Sequence, residues 1–138
     1  MIDKRKTEEL LPFMEAAFAV GGYFRLYPSG RSMLPLLREG IDSVLLARPD
    51  GIRRGDILLV RTNGGFILHR AIAVSDAGIT LCGDALTTPE GPFPTEAVLA
   101  RVVRIYRGDR ALDPTSLRLR AYAARRTLRR RLHHLLKH

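Results

Sequence analysis

The run Asp56-Ile57-Leu58-Leu59-Val60-Arg61, then Asn63-Gly64-Gly65, then Phe66-Ile67-Leu68-His69-Arg70-Ala71-Ile72-Ala73-Val74, reads as two strands joined by a tight turn. Asn-Gly is a strong short-range hairpin signal, because both residues tolerate the positive φ that a two-residue hairpin turn requires. Outward from this hairpin, other short apolar runs end in turn residues. Tyr23–Tyr27 leads into Pro28-Ser29-Gly30, and Ser43–Ala47 ends at Pro49-Asp50-Gly51. Ile79–Cys82 follows Asp76-Ala77-Gly78 and reaches Gly83-Asp84. Val98–Tyr106 stops at Gly108-Asp109. Residues 85–96, with three prolines, read as a loop. Many short strands at this spacing predict a mainly β protein, a compact antiparallel β domain.

Two flanking segments have a different period. In residues 8–20, Leu10, Leu11, Phe13, Met14, Ala17 and Phe18 recur at helical spacing, and Gly21-Gly22 ends the pattern. Pro12 suits a first turn, which sets the regular helix to begin near Leu11. At the other end, Leu117, Ala121, Ala124, Leu128, Leu132 and Leu135 form an apolar stripe among arginines, predicting a basic amphipathic helix. The expected organisation is an N-terminal helix over 1–22, a β body over 23–110 and a basic helix over 114–138, within one domain.

The charge is concentrated in the last segment. Of the 23 Lys and Arg residues, eight lie in 114–138, which holds none of the 14 acidic residues. The preceding 113 residues are nearly balanced, so the basic character belongs to the tail. A single cysteine, Cys82, forms no intramolecular disulfide and reads as a small buried apolar residue. The apolar run from Leu10 to Gly22 is interrupted by Pro12 and Glu15 and falls short of the roughly 20 residues of a spanning helix. Cytoplasm is the expected compartment.

Three residues suggest chemistry. Ser32 sits in Gly30-Arg31-Ser32-Met33-Leu34-Pro35, His69 ends the Leu-His of the hairpin, and Asp84 follows Gly83. A serine hydroxyl needs an adjacent base to act as a nucleophile near neutral pH. The lysines are Lys4, Lys6 and Lys137, and the other histidines are His133, His134 and His138. Within the body, His69 is therefore the one natural base for Ser32. Gly30 and Pro35 shape a turn able to project the hydroxyl and aim backbone N–H groups at an oxyanion. Asp84 is the candidate orienter of the imidazole. Each residue also has a plainer reading: a turn serine, a structural histidine, a turn aspartate, and a core plug in Met33.

The order of these boxes resembles the type I signal peptidases. Ser-Gly-Arg-Ser-Met-Leu-Pro over residues 29–35 looks like their nucleophile box, Gly-x-Ser-Met-x-Pro. Arg54-Gly55-Asp56-Ile57-Leu58 resembles a Gly-Asp strand entry, and Leu68-His69-Arg70 resembles the box of the general base. The common bacterial enzymes carry Lys-Arg there, whereas the endoplasmic-reticulum type carries His-Arg. Gly83-Asp84 resembles the box with the acidic residue, and Val98–Val103 the closing strand. The resemblance spans residues 25–106. It implies a signal-peptidase-like β fold, shared with the self-cleaving repressors of the DNA-damage response. It also implies peptide hydrolysis through an acyl-enzyme. Ser32 is then nucleophile, His69 base and Asp84 orienter, with Ser32, Gly30, Met33 and Pro35 around the oxyanion and substrate. Ala85 stands where the family usually has Asn, and no anchor is read. The expected substrate is thus a dedicated peptide or protein, such as a leader, and no metal or cofactor is expected.

The alternative is a catalytically silent peptide- or membrane-binding module with the same fold. The tail itself has three readings: packing on the body, contact with an anionic membrane at its inner face through 115–138, or a protein or nucleic-acid partner. No helix-turn-helix or aromatic-studded patch accompanies it, so nucleic acid is not expected.

Overall fold

The computed structural model describes residues 4–30, 32–34 and 36–114, together with Leu128, Leu132 and Leu135. The Asn-Gly hairpin is its centre. Strand β3 (Ile57–Thr62) pairs antiparallel with β4 (Gly65–Ser75), and Thr62 opposite Gly65 leaves only Asn63-Gly64 in the turn, although the positive φ falls on Gly65 (+147°) rather than on Asn63 or Gly64. A second such turn, Asp76-Ala77, carries β4 into β5 (Gly78–Cys82), with Ser75 opposite Gly78.

Around this hairpin the strands β1 (Phe24–Leu26), β2 (Ser43–Ala47), β6 (Glu90–Phe93), β7 (Val98–Arg107) and β8 (Arg110–Leu112) complete one eight-stranded sheet. Its order is β1-β2-β7-β3-β4-β5-β6, and every pairing is antiparallel. β7 joins the halves: it pairs with β2, with β3 and, beyond Gly108-Asp109, with β8.

Alternation along β3 explains how both faces are covered. Ile57 and Leu59 enter one core with Phe66, Leu68, Val44, Leu46, Val102 and Ile105. Leu58 and Val60 enter a second core with Ile67, Ala71, Ile79, Leu81 and Val98. Period two sends successive side chains to opposite faces, and burying each large one contributes about 1.5–3 kcal/mol. The first core is closed by helix α1 (Lys4–Ala19), which buries Met14 and Phe18 one turn apart. Its end is a Schellman arrangement. Gly22 N–H donates to the Ala17 carbonyl at 2.8 Å and Gly21 N–H to that of Phe18 at 3.0 Å, with Gly21 at φ +75°.

Three boundaries differ from the sequence reading. The helix covers Lys4–Ala19, so Pro12 lies inside it rather than in a first turn near Leu11. Pro12 and Glu8 are both exposed, so the proline that removes a donor from the Glu8 carbonyl lies on the solvent side of the helix. The presumed loop 85–96 contains β6 and a short 3₁₀ turn, Thr95–Ala97. β6 is an edge strand, the setting in which Pro92 is tolerated. The third is β8, a three-residue strand too short to show a period. Of the expected helix over 114–138, Pro114 lies in a turn and Leu128, Leu132 and Leu135 are helical, and the rest lies outside the described residues. No helix among the described residues is long and apolar enough to cross a membrane.

Candidate active site

Ser32 and His69, 37 residues apart in sequence, meet. His69 Nε2 lies 3.0 Å from Ser32 Oγ. His69 sits at mid-strand in β4 and is 3% exposed, while Ser32 occupies the turn before β2 and is half-buried.

That turn is held from three sides. Gly30, at φ +89°, donates its N–H to Glu39 Oε1 at 3.0 Å. Met33 is buried in the first core, and its carbonyl accepts from Leu37 N–H at 3.0 Å. The segment after β5 then clamps the turn from the other side. Ala85 N–H donates to the Ser32 carbonyl at 2.9 Å, and Asp84 N–H approaches Met33 Sδ at 3.4 Å. Gly83 is what permits this approach. A Cβ there would stand 2.5 Å from the Ser32 carbonyl oxygen and 3.1 Å from His69 Nε2. Even the smallest side chain at 83 would intrude on the Ser–His contact.

Beside Ser32 is a small depression of about 10 Å³, room for about one water molecule, lined by Pro28, Ser29, Gly30, Met33, Leu37 and Leu68. Gly30 and Met33, two of the residues expected around the oxyanion and substrate, line this depression. Arg31 and Pro35 lie outside the described residues.

Asp84 does not orient His69. Both its oxygens are taken by Arg70: Nε donates to Oδ1 and Nη2 to Oδ2, each at 2.8 Å. Arg70 and Asp84 are 3% and 0% exposed, and Arg70 Nη1 also donates to the Gly55 carbonyl at 3.0 Å. A guanidinium presents a fixed fork that matches a carboxylate, so the nearest arginine captures this acid. The expectation that Asp84 accepts from the imidazole is therefore corrected. Asp84 instead locks β4 to the loop that carries Gly83.

The carboxylate that faces the imidazole is Glu90, on β6. Its Oε1 is 3.2 Å from His69 Nδ1, an ion-pair distance at an angle that makes no aligned hydrogen bond. Sequence reasoning missed it by reading 85–96 as a loop. The available signal was the short extended Glu-Gly-Pro-Phe between turn residues, a pattern compatible with an edge strand. Burial, above all, lowers the His69 pKa from its usual 6.5, and the negative charges of Glu90 and Asp84 oppose that shift only in part. The imidazole is thereby kept neutral and able to accept a proton near neutral pH. Cys82 is buried, as expected, with Sγ toward the Leu86 carbonyl at 3.5 Å. Among the described residues no cluster of three or more His, Cys, Asp or Glu is arranged to hold a metal ion.

No protein-family model, curated protein or solved structure matches this chain.

Proposed function

We propose that the protein is a serine endopeptidase of signal-peptidase-like fold, cleaving a peptide or leader sequence through an acyl-enzyme. The observation that carries the reading is the 3.0 Å contact between Ser32 Oγ and a buried, pKa-lowered His69 Nε2. A nucleophile within hydrogen-bond reach of a base is the geometric core of serine acyl transfer. The resemblance of the boxes around both residues supports the same reading.

In this mechanism Ser32 Oγ attacks the scissile carbonyl carbon while its proton passes to His69 Nε2. The carbonyl oxygen becomes an oxyanion, which backbone N–H groups of the Ser32 turn stabilise. Collapse breaks the C–N bond, and the imidazolium returns the proton to the leaving amine. Water, deprotonated by the same imidazole, then hydrolyses the Ser32 ester. The resemblance implies an extended substrate laid along the surface at Ser32, and the small depression there admits only small side chains beside the cut.

A fluorophosphonate probe tests the pair without a known substrate, because it phosphonylates an activated serine and releases fluoride. Labelling at Ser32 by mass spectrometry is expected, lost in Ser32→Ala and reduced at least a hundredfold in His69→Ala. Absence of labelling in the folded wild-type protein, or labelling indifferent to His69→Ala, overturns the reading. A peptide library should then show Ala, Gly or Ser before the cut.

The tail supplies a peripheral contact with anionic lipid in the same proposal. Leu128, Leu132 and Leu135 are helical, share one face by their spacing and are 57%, 50% and 74% exposed. Residues 115–138 carry eight basic side chains and no acidic ones. Each basic residue near an anionic surface contributes about 1 kcal/mol, weakened by salt. Co-sedimentation with phosphatidylserine vesicles is expected at low salt and reduced when the three leucines become serine. No binding at low salt overturns this contact and leaves the peptidase reading intact.

A further inference from the structure

The geometry points to Glu90 as the positioning residue of His69, the part that sequence order gives to Asp84. The argument starts from the tautomer. For Nε2 to accept the Ser32 hydroxyl proton, the neutral ring must carry its own proton on Nδ1. His69 is 3% exposed, and Nδ1 is fully shielded from water, with no aligned hydrogen-bond partner among the described residues. A buried N–H without an acceptor is costly, so an unassisted ring would favour the tautomer that is wrong for catalysis.

Two carboxylates are near the ring, and they differ in what they have left to give. Asp84 has each oxygen bound by the Arg70 fork. Glu90 has Oε1 3.2 Å from Nδ1, and its side chain is 41% exposed. Its reach comes from the sheet. Ala71 of β4 lies opposite Leu81 of β5, and Leu81 lies opposite Glu90 of β6. His69 shares a face with Ala71 two residues on, so strand pairing brings Glu90 over its ring. The misalignment in the free protein is what is expected of a site whose hydrogen bonds tighten when substrate binds. Strand β6 is at the sheet edge, and Glu90 is half-buried, which leaves the side chain room to rotate into line.

Catalytically, this assignment rests on the peptidase reading, but the contact itself can be measured without turnover. In ¹⁵N-histidine spectra at a pH where the ring is neutral, wild-type His69 should show the proton on Nδ1. Its signals are separated from those of the tail histidines by comparison with His69→Ala. Glu90→Ala should move the ring toward a tautomer mixture, and Glu90→Gln, which keeps an acceptor oxygen, should restore most of the Nδ1–H form. With a cleaved peptide in hand, Glu90→Ala should lower kcat about 10- to 100-fold at unchanged KM, with partial recovery in Glu90→Gln. A wild-type ring without the Nδ1 proton, or a Glu90→Ala ring indistinguishable from wild type, overturns the assignment. A wild-type Nδ1–H that depends on Glu90 in a protein without peptidase activity would keep the contact and remove the peptidase reading.

Discussion

Two aspartates in this molecule are gripped by the same arginine fork, in places with different tasks. In the first, Asp42 before β2 accepts from Arg38 Nε at 2.9 Å and Nη2 at 2.9 Å, and from the backbone N–H groups of Arg38 and Gly108. It ties the strand start to the β7–β8 turn. In the second, Asp84 ties β4 to the loop over Ser32. The carboxylates are equally hidden, both 0% exposed, but Arg38 is 45% exposed and Arg70 only 3%. One pair remains open to water at its cationic end, and the other is removed from water entirely. An acid near a candidate base in sequence order is thus no guide to its partner. The deciding fact is which donor reaches its oxygens first.

The two pairs should break very differently. Asp84→Ala leaves a buried guanidinium without its counter-charge, which typically costs about 3–5 kcal/mol. Urea unfolding should show that loss, with probe labelling of Ser32 falling as the Gly83 loop loosens. A loss no larger than that of Asp42→Ala would mean that burial does not separate the pairs. Gly83→Ala tests the clamp itself. Its Cβ would meet the Ser32 carbonyl and His69 Nε2, and such overpacking costs about 1–3 kcal/mol. Labelling of Ser32 should drop more than stability does, because the displaced atoms are those of the pair. Unchanged labelling would show that the loop does not hold the Ser–His geometry.

The legibility of this site follows the range of each interaction. The hairpin, its turn and β2 are local matters of alternation and turn chemistry, and Ser43–Ala47 was legible to the residue. Ser32 and His69 were legible as a pair because the β body over 23–110 offers one histidine and no lysine. The acid was not, because both Asp84 and Glu90 lie within reach of the ring's surroundings and only the arginine's reach distinguishes them. β6 and β8 were hidden for another reason: their few residues gain order from pairing with β5 and β7 rather than from any period of their own. The signal-peptidase-like reading came from box order, which carries residue types without distances.

The smallest expected effect is a difference in how the two regions respond to acid. The Arg38 guanidinium and the surrounding hydrogen bonds hold Asp42 at a pKa of about 2, below its ordinary 3.8. A depressed carboxylate stabilises the fold above its unfolded pKa, and that contribution fades as pH falls from about 4 toward 2. A full shift of this size corresponds to about 2 kcal/mol, and the half-open Arg38 reduces it to about 1 kcal/mol. His69 acts in a different window. Its pKa is lowered, so the unfolded chain binds the proton more readily, and stability declines as pH drops below 6.5 toward the folded value. The same shift keeps the base neutral below pH 6.5, so the acid limb of cleavage should lie on that side. Thermal unfolding measured from pH 7.5 to 2.5 should therefore show two separate losses. Asp42→Asn should flatten only the lower one, and His69→Phe only the upper. A single loss abolished by either variant would mean that the clasp and the site are one cooperative unit, and the comparison between them would fail.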